Sequence, residues 1–405
     1  MSSTAIHLTN DQQSYRDRYP DLGTGPVPVE PYMSEEYLSK ECEHIFSKMW
    51  LMVGRTTRLK NVGDFFVKNV ECLNKSIVVA KGKDQKVRAF YNVCRHRGTN
   101  VASGEGNCKY FTCRFHGWVY DTDGSIAHIP EENQFYQLDK SKLNLESVHC
   151  EIWKGFIFVN FSDKPRETLR EQLAEYCDRF EDFPFEEMPV AGRWGATLKA
   201  NWKLFQDAFQ EGYHVSTVHA GTIGEYFTGK RNPNCRPYYL DLFKRNRSMS
   251  FSYNPEFTPH PSEIFAVKAG GSLSQGDAAT TYALPGINPG NDPYYSFDVN
   301  AVFPNWLCDT SAGFFFIHEF WPIDAITTRW EASLHFLPTN SPSQFISQMQ
   351  SVTLLRDAFR EDIATSEGSQ AGLMSGALRE INFSDVEIPC RHQYQVIQDL
   401  IDNPL

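Results

Sequence analysis

The stretch that decides the fold is Cys94-Arg-His96-Arg-Gly98, followed by Cys113-Arg-Phe-His116-Gly-Trp118. It supplies two thiolates and two imidazoles, in the order Cys-x-His and then Cys-x-x-His. Such a set suits a two-iron cluster in which cysteines hold one iron and histidines hold the other, which raises the reduction potential. Zinc accepts the same ligands, but a zinc finger normally pairs like with like, whereas each arm here carries one of each. The spacing therefore favours an iron–sulfur cluster over a structural zinc ion.

A second group of candidate ligands lies within residues 201–219, Asn-Trp-Lys-Leu-Phe-Gln-Asp-Ala-Phe-Gln-Glu-Gly-Tyr-His-Val-Ser-Thr-Val-His. The apolar residues recur at helical spacing, which predicts an amphipathic helix. Its other face would carry Asp207, Glu211 and His214, at positions i, i+4 and i+7. His219 follows closely enough for both imidazoles to bind one metal ion. Taken alone, such a histidine pair is more often two unrelated surface residues.

A third ligand is needed, because two histidines and one carboxylate form the facial ligand group of non-haem iron(II) oxygenases. The chain has 50 Asp and Glu residues, so chemistry alone does not choose among them. The best candidates are Glu361 and Asp362, at the end of a stretch (residues 354–362) with one apolar and one charged side. A solvated helix face explains that stretch equally well.

Jointly, the three motifs resemble those of the Rieske non-haem iron oxygenases, and specifically the large oxygenase component of ring-hydroxylating systems. Members share a late motif of Glu-Asp, seven residues and then Gln-x-Gly-Leu, and this chain has Glu361-Asp362 followed by Gln370-Ala-Gly-Leu373. The resemblance implies that Asp362, not Glu361, is the third ligand. It implies a Rieske [2Fe-2S] cluster held by Cys94, His96, Cys113 and His116. It also implies a mononuclear non-haem Fe(II) held by His214, His219 and Asp362.

The resemblance also indicates Glu211 and Asp207 as catalytic side chains beside the iron. Related enzymes form head-to-tail trimers in which a carboxylate at this position links a Rieske histidine to an iron ligand of the next subunit. Glu211 is thus expected to join His116 of the partner subunit to His214; the alternative is an ordinary exposed helix glutamate. The chain departs from the family twice, with Gln206-Asp207 where many members have Glu-Asn, and with Glu211 where naphthalene dioxygenase-like members have aspartate.

Composition limits the class of protein. A chain of 405 residues is long enough for two domains, and a net charge of −11 argues against nucleic acid or an anionic membrane as partner. Residues 1–11 contain no basic and apolar signal-peptide pattern, and no run reaches the ~18 apolar residues of a membrane span. Apart from Cys94 and Cys113, the cysteines are interpreted as reduced thiols, and the protein is expected in the cytoplasm.

The pattern of elements predicts an α+β fold: an N-terminal helical segment (1–48) packing on the catalytic domain, a Rieske [2Fe-2S] β domain (49–163) and a catalytic mononuclear iron domain (164–405). Short β-rich runs and an Asp-Gly hairpin signal at residues 120–126 build the first domain. A helix is predicted over 36–50 and another from Pro165. The resemblance makes the catalytic domain a helix-grip fold with an antiparallel sheet. Residues 220–295 are loop-rich and are expected to cap the pocket.

The function implied by the resemblance is that of a terminal oxygenase. The chain has neither the glycine-rich nucleotide motif nor a ferredoxin-type cysteine run. Electrons must therefore come from a separate reductase, with or without an intervening ferredoxin, and the assembly is expected to be a homotrimer or α3β3. The expected reaction inserts oxygen from O2 into an aromatic or polycyclic substrate, as a ring-hydroxylating dioxygenase. The alternatives are a monooxygenase or O-/N-demethylase acting on a small organic substrate, an electron-transfer-only Rieske protein and a zinc hydrolase.

Overall fold

The computed structural model describes residues 14–260, 264 and 284–404 of the chain. The described part of the chain does not include the N-terminal stretch 1–11 or most of the stretch 261–283. Part of the expected pocket cap therefore lies outside the described residues. The described chain divides into two units, one formed by the segment up to Glu41 together with 170–404, the other by 42–169. The first unit is thus discontinuous in sequence, and the second is inserted into it.

The described residues form nineteen strands and nine α-helices, besides short 3-10 turns and one π-helical turn. The strands are β1 (Val27–Pro28), β2 (Leu51–Arg55), β3 (Asp64–Val70), β4 (Lys75–Lys81), β5 (Val87–Tyr91), β6 (Glu105–Asn107), β7 (Tyr110–Thr112), β8 (Val119–Asp121), β9 (Ile126–His128), β10 (Ser147–Trp153), β11 (Phe156–Asn160), β12 (Val190–Leu198), β13 (Tyr239–Leu242), β14 (Arg247–Ser252), β15 (Tyr295–Val302), β16 (Trp306–Ser311), β17 (Phe314–Asp324), β18 (Thr327–Phe336) and β19 (Glu380–Ile381). The helices are α1 (Tyr15–Arg18), α2 (Glu35–Glu41), α3 (Leu169–Leu173), α4 (Glu175–Arg179), α5 (Trp202–Asp207), α6 (Val215–Val218), α7 (Gly224–Phe227), α8 (Pro342–Met374) and α9 (Ile388–Asp402). None of these helices is both long enough and apolar enough to cross a membrane.

The inserted unit is a β domain, as expected. Its larger antiparallel sheet has the order β2-β11-β10-β5-β4-β3-β6, and its smaller sheet has the order β7-β8-β9. The Asp-Gly signal closes the β8–β9 hairpin at Gly124, whose φ of +89° suits glycine. Strands β10 and β11 form a hairpin, because Lys154 and Gly155 between them both take positive φ and reverse the chain. The two ligand loops lie between β5 and β6 and between β7 and β8.

The other unit is organised around a seven-stranded antiparallel sheet in the order β12-β18-β17-β16-β15-β14-β13. Helix α8 packs on its concave apolar face, where the Phe359 ring contacts Trp194 of β12, Phe316 of β17 and Trp330 of β18. The α+β class and the helix gripped by a sheet are therefore confirmed. Strands β13 and β14 fall within the stretch that was expected to be loop-rich. They were not predicted because their buried positions carry polar residues such as Arg247 and Ser248, so the sequence shows no alternation of apolar and polar residues.

The N-terminal segment packs within the catalytic unit. Strand β1 pairs with β19, and Tyr15 Oη donates a hydrogen bond to the Pro237 carbonyl oxygen at 2.8 Å. Glu41, at the end of α2, forms a buried ion pair with Lys203 of α5 at 2.7 Å. The predicted helix over 36–50 is shorter than expected: regular α-helix ends at Glu41, and residues 42–46 continue as one π-helical turn. The helix expected from Pro165 starts at Leu169 and breaks at Ala174, whose φ is +47°.

Candidate active site

The four residues predicted to hold the Rieske cluster, Cys94, His96, Cys113 and His116, are presented by two loops with the same backbone hydrogen-bond pattern. In the first, Cys94 N–H donates to the Thr99 carbonyl and Gly98 N–H to the Cys94 carbonyl; in the second, Cys113 N–H donates to Trp118 and Gly117 N–H to Cys113. Both glycines take positive φ, +82° and +70°. A glycine four residues after each cysteine therefore closes each loop tightly, although the histidine spacing differs between them.

The ligand side chains form two pairs. The Nδ1 atoms of His96 and His116 lie 3.1 Å apart, and the His96 ring stacks on Trp118 with 5.0 Å between centroids. Cys94 and Cys113 are buried. No three of these four ligands bring donor atoms within 4.8 Å of one another. Donors at about 2.0–2.3 Å from a single zinc ion could be at most ~4.6 Å apart. The separated pairs fit a two-iron cluster better than one zinc ion.

Tyr120 belongs to this site, although the sequence motifs did not indicate it. Its hydroxyl accepts a hydrogen bond from the Arg95 N–H at 2.9 Å and lies 3.2 Å from Cys94 Sγ. Since the accepted bond leaves its proton free, the Tyr120 hydroxyl donates to the sulfur. Hydrogen bonds to cluster sulfurs tune the reduction potential.

The structure brings His214, His219 and Asp362 together in the catalytic unit. Within the described residues they are the one trio of His, Cys, Asp or Glu side chains whose donor atoms all lie within 4.8 Å of one another. The two Nε2 atoms are 3.2 Å apart, and Asp362 Oδ1 lies 3.1 Å from His219 Nε2 and 3.6 Å from His214 Nε2. Asp362 is buried, and this oxygen has no hydrogen-bond partner among the described residues.

Two further carboxylates set the tautomer of both histidines. His214 Nδ1 lies 2.5 Å from Glu211 Oε1, and His219 Nδ1 lies 2.7 Å from Glu361 Oε2. Each Nδ1–H is therefore donated outward, and each Nε2 presents a lone pair to Asp362. Three electron-rich atoms facing one another repel unless a cation lies between them. The trio thus fits a mononuclear iron, with Glu361 holding a histidine rather than the metal.

Glu211 lies in a turn and not on the helix predicted over 201–219. Helix α5 ends at Asp207, and α6 begins only at Val215. Glu211 Oε2 accepts hydrogen bonds from the backbone N–H groups of Tyr213 and His214. Its side chain is 10% exposed, so it is not an ordinary surface glutamate.

Asp207 is not brought to the ligand trio, because the end of α5 breaks its helical register with Glu211. Its carboxylate instead accepts from Tyr32 Oη at 3.3 Å and from Gln393 Nε2 at 3.2 Å. Burial raises the pKa of Asp207 well above its ordinary value. The catalytic role expected of Asp207 has no contact with His214, His219 or Asp362 to support it.

Two cavities flank the trio. The first is about 90 Å³ and apolar apart from a few groups, with walls that include six phenylalanines: Phe209, Phe227, Phe251, Phe297, Phe316 and Phe359. The second is about 240 Å³ and is lined by Asp207, Glu211, His214 and Asp362 among others. The first also contains Asp309, a carboxylate that the sequence motifs did not indicate. A charged residue within a buried strand was the available signal, but it does not tell which side of the sheet the side chain faces.

Comparison with known proteins agrees with this geometry. A family model for the catalytic domain of ring-hydroxylating alpha subunits matches residues 185–403, and one for the Rieske [2Fe-2S] domain matches residues 49–149. The carnitine monooxygenase oxygenase subunit of Escherichia coli (strain K12) is 33% identical over 203 residues, covering 48% of this chain and 52% of that protein. The benzene 1,2-dioxygenase subunit alpha of Pseudomonas putida is 32% identical over 206 residues, covering 49% of this chain and 45% of that protein. The matches therefore span about half the length of these curated relatives.

Solved structures show the same fold over almost the whole chain. A quaternary ammonium Rieske monooxygenase in complex with an inhibitor aligns with a TM-score of 0.75 and 22% identity, covering 95% of this chain and 98% of its own. Naphthalene 1,2-dioxygenase from Rhodococcus sp., bound to indole, aligns with a TM-score of 0.72 and 19% identity, covering 97% and 98%. Because the catalytic-domain model matches more than half of the sequence, the chain belongs to the family of ring-hydroxylating alpha subunits, with a Rieske [2Fe-2S] domain preceding the catalytic domain.

Proposed function

We propose that this chain is a terminal oxygenase that takes electrons from a separate reductase and inserts one oxygen atom of O2 into a small organic substrate, as a monooxygenase or an N- or O-demethylase. The observation that carries the proposal is a group of two histidines and one carboxylate, with His219 and Asp362 buried, that lines an apolar cavity in a chain that also has a Rieske domain. An electron carrier alone would leave this group and its cavity without a use.

His214, His219 and Asp362 would hold a ferrous ion, which when bound would supply the oxygen-activating chemistry. The protein's own residues keep the two imidazoles in one tautomer through Glu211 and Glu361, and the phenylalanine walls exclude water from the reacting carbon. One oxygen atom enters a C–H bond and the other leaves as water, with two electrons from the reductase and two protons. When the carbon is an N-methyl group, the hydroxymethyl product releases formaldehyde and the demethylated amine.

Similarity to known proteins supports a small methylated substrate. A relative of this chain is a carnitine monooxygenase subunit, and a similar fold is a quaternary ammonium monooxygenase. Aromatic ring dioxygenation is the second candidate, favoured by the six phenylalanines and by similarity to the benzene dioxygenase subunit.

We further propose that electrons reach the iron between subunits of a trimer, through Glu211. Its Oε1 atom holds His214, and the residue lines both the phenylalanine-walled cavity and the second cavity. The ring of His116 is exposed and has its Nδ1 turned toward His96, so Nε2 is available for a partner. In this arrangement Glu211 contacts His116 of the partner subunit.

Product analysis tests the proposed reaction. The protein, loaded with cluster and iron and supplied with a surrogate reductase, is incubated with methylated amines, methyl ethers and simple arenes. We expect O2 uptake coupled to formaldehyde release from a methylated compound, at one formaldehyde per O2 consumed, and under ¹⁸O2 we expect no label in the demethylated product. Conversion of arenes to cis-diols carrying two ¹⁸O atoms, without formaldehyde, would instead establish the dioxygenase.

A further inference from the structure

Asp309 is a buried carboxylate on the wall of the first cavity. It lies on β16 opposite Phe316 of β17, at the same inward-facing set of positions as Leu307. The residue is 2% exposed, and Oδ1 has no hydrogen-bond partner among the described residues. The backbone N–H of Asn300 supports the carboxyl group. An unpartnered buried carboxylate oxygen is costly, and its persistence at a cavity wall indicates that something else contacts it.

His318 lies behind Asp309 but does not neutralise it. Trp330 Nε1–H donates to His318 Nδ1 at 3.1 Å, so the proton of the neutral imidazole is on Nε2. That Nε2 atom is 3.8 Å from Asp309 Oδ2, beyond hydrogen-bond distance. Burial lowers the pKa of His318 to about 3, which keeps the ring uncharged. Burial, together with the Asp298 carboxylate on the neighbouring strand, raises the pKa of Asp309 well above its usual value, so the charged form of Asp309 needs a cation beside it.

The surroundings of Asp309 are suited to a positive charge. Aromatic ring faces attract ammonium groups, more strongly where water is excluded. Among the described residues, the cavity lining includes six phenylalanines and, besides Glu211 and Asp362 of the iron site, this one carboxylate. A neutral hydrocarbon would contact the phenylalanine rings but leave the Asp309 carboxylate without a partner. An organic cation would contact the rings and also pair with the Asp309 carboxylate.

We propose that Asp309 is the specificity-determining counter-ion of the site, and that the substrate is a small alkylammonium compound whose charged nitrogen lies between Asp309 and the phenylalanine rings. This deepens the proposed function and depends on the same cavity being the substrate site. Because Asp309 and the iron ligands line one cavity, a cation held in this way brings its N-alkyl carbons toward the reacting position.

Binding of matched probes tests the proposal without turnover. Tetramethylammonium and choline, together with 3,3-dimethylbutan-1-ol, in which carbon replaces the choline nitrogen, are titrated into the cluster- and iron-loaded protein by calorimetry. We expect at least one cation to bind, and choline to bind at least tenfold more tightly than its neutral isostere. Equal affinities, tighter binding of the alcohol, or no binding of either cation would overturn the proposal.

The variant Asp309→Asn should reduce cation affinity at least tenfold while leaving affinity for the neutral alcohol unchanged or higher. Asp292→Asn serves as the matched control, because Asp292 is also buried but does not line this cavity, and it should bind like the parent. Undiminished cation binding by Asp309→Asn would overturn the proposal. If Asp309→Asn fails to fold, the probe comparison on the parent protein decides. Loss of O2 uptake with every substrate, while cations still bind selectively, would contradict the proposed oxygenase but not the role of Asp309.

Discussion

At the scale of single residues, adjacent carboxylates on one helix take different positions at the iron site. Asp362 and Glu361 follow one another on α8, so their side chains point about 100° apart around the helix axis. Asp362 faces the two Nε2 atoms, while Glu361 reaches the Nδ1 side of His219 and also accepts from Thr222 Oγ1 at 2.6 Å. From the sequence, these two roles could be assigned only through the resemblance of the Glu361-Asp362 motif to the family, because a solvent-exposed charged helix face can contain the same residues.

Replacing these two residues should separate the roles. Asp362→Ala removes a direct ligand, so mononuclear iron and turnover should be lost while the cluster remains. Glu361→Gln weakens only the support of His219, so iron affinity should fall about 10–100-fold. Iron content after dialysis against a graded chelator measures both effects, with Asp357→Asn on the same helix as control. Iron retained in Asp362→Ala but lost in Glu361→Ala would reverse the assignment.

The Tyr120 hydroxyl provides a second prediction at this scale. Its hydrogen bond to Cys94 Sγ stabilises the more negative, reduced cluster. A bond to a charged group is worth about 1.5–3 kcal/mol, or roughly 65–130 mV for one electron. Tyr120→Phe should therefore lower the reduction potential, as measured by a redox titration followed by electron resonance. Tyr110→Phe serves as the control, because Tyr110 lies in the same unit but contacts none of the cluster ligands. An unchanged reduction potential in Tyr120→Phe would contradict the proposal that Tyr120 tunes the cluster.

At the scale of elements, the β-rich runs of the Rieske domain and part of the long helix (354–362) could be predicted from sequence, but strands β13 and β14 and the break in the iron-binding segment could not. Apolar spacing continues through 202–209 as if one helix ran to His219. The chain instead turns at Gly212, where a Cβ atom would lie 2.2 Å from the Cys235 carbonyl oxygen. That approach comes from a distant segment, and no local pattern encodes it. Asp309 was missed for a related reason, since its neighbours across the sheet decide that it faces the cavity.

Gly212→Ala should therefore disturb the turn that carries Glu211 and His214. The added methyl group must displace the backbone around Cys235, so we expect at least a tenfold loss of iron affinity with the cluster absorption unchanged. Gly372→Ala on α8 is a fair control, because its Cβ would meet no atom within 4 Å. Normal iron binding by Gly212→Ala would show that the turn tolerates a side chain.

At the scale of the whole molecule, the proposed route through Glu211 depends on subunits meeting one another. Glu211→Gln keeps an acceptor for His214 but removes the negative charge between the two metal sites. We expect both metals and the oligomeric mass to be retained, with turnover reduced at least a hundredfold and the cluster still reducible by its donor. Single-turnover oxidation of the reduced cluster, together with light scattering, measures this. Near-normal turnover, or a fully active monomer, would show that electrons take another route.

The insertion of one unit into the other has a consequence for how the protein is made. Ribosomes deliver the N-terminal segment first, then residues 42–169, and only afterwards the rest of the catalytic unit. Strand β1 cannot pair with β19, and Glu41 cannot form its ion pair with Lys203, until the whole intervening domain has been synthesised. We expect the Rieske loops to be complete and ready for cluster delivery on the nascent chain, before the iron ligand Asp362 has been translated. The order in which the chain is translated therefore sets the order in which the two metal centres can be assembled.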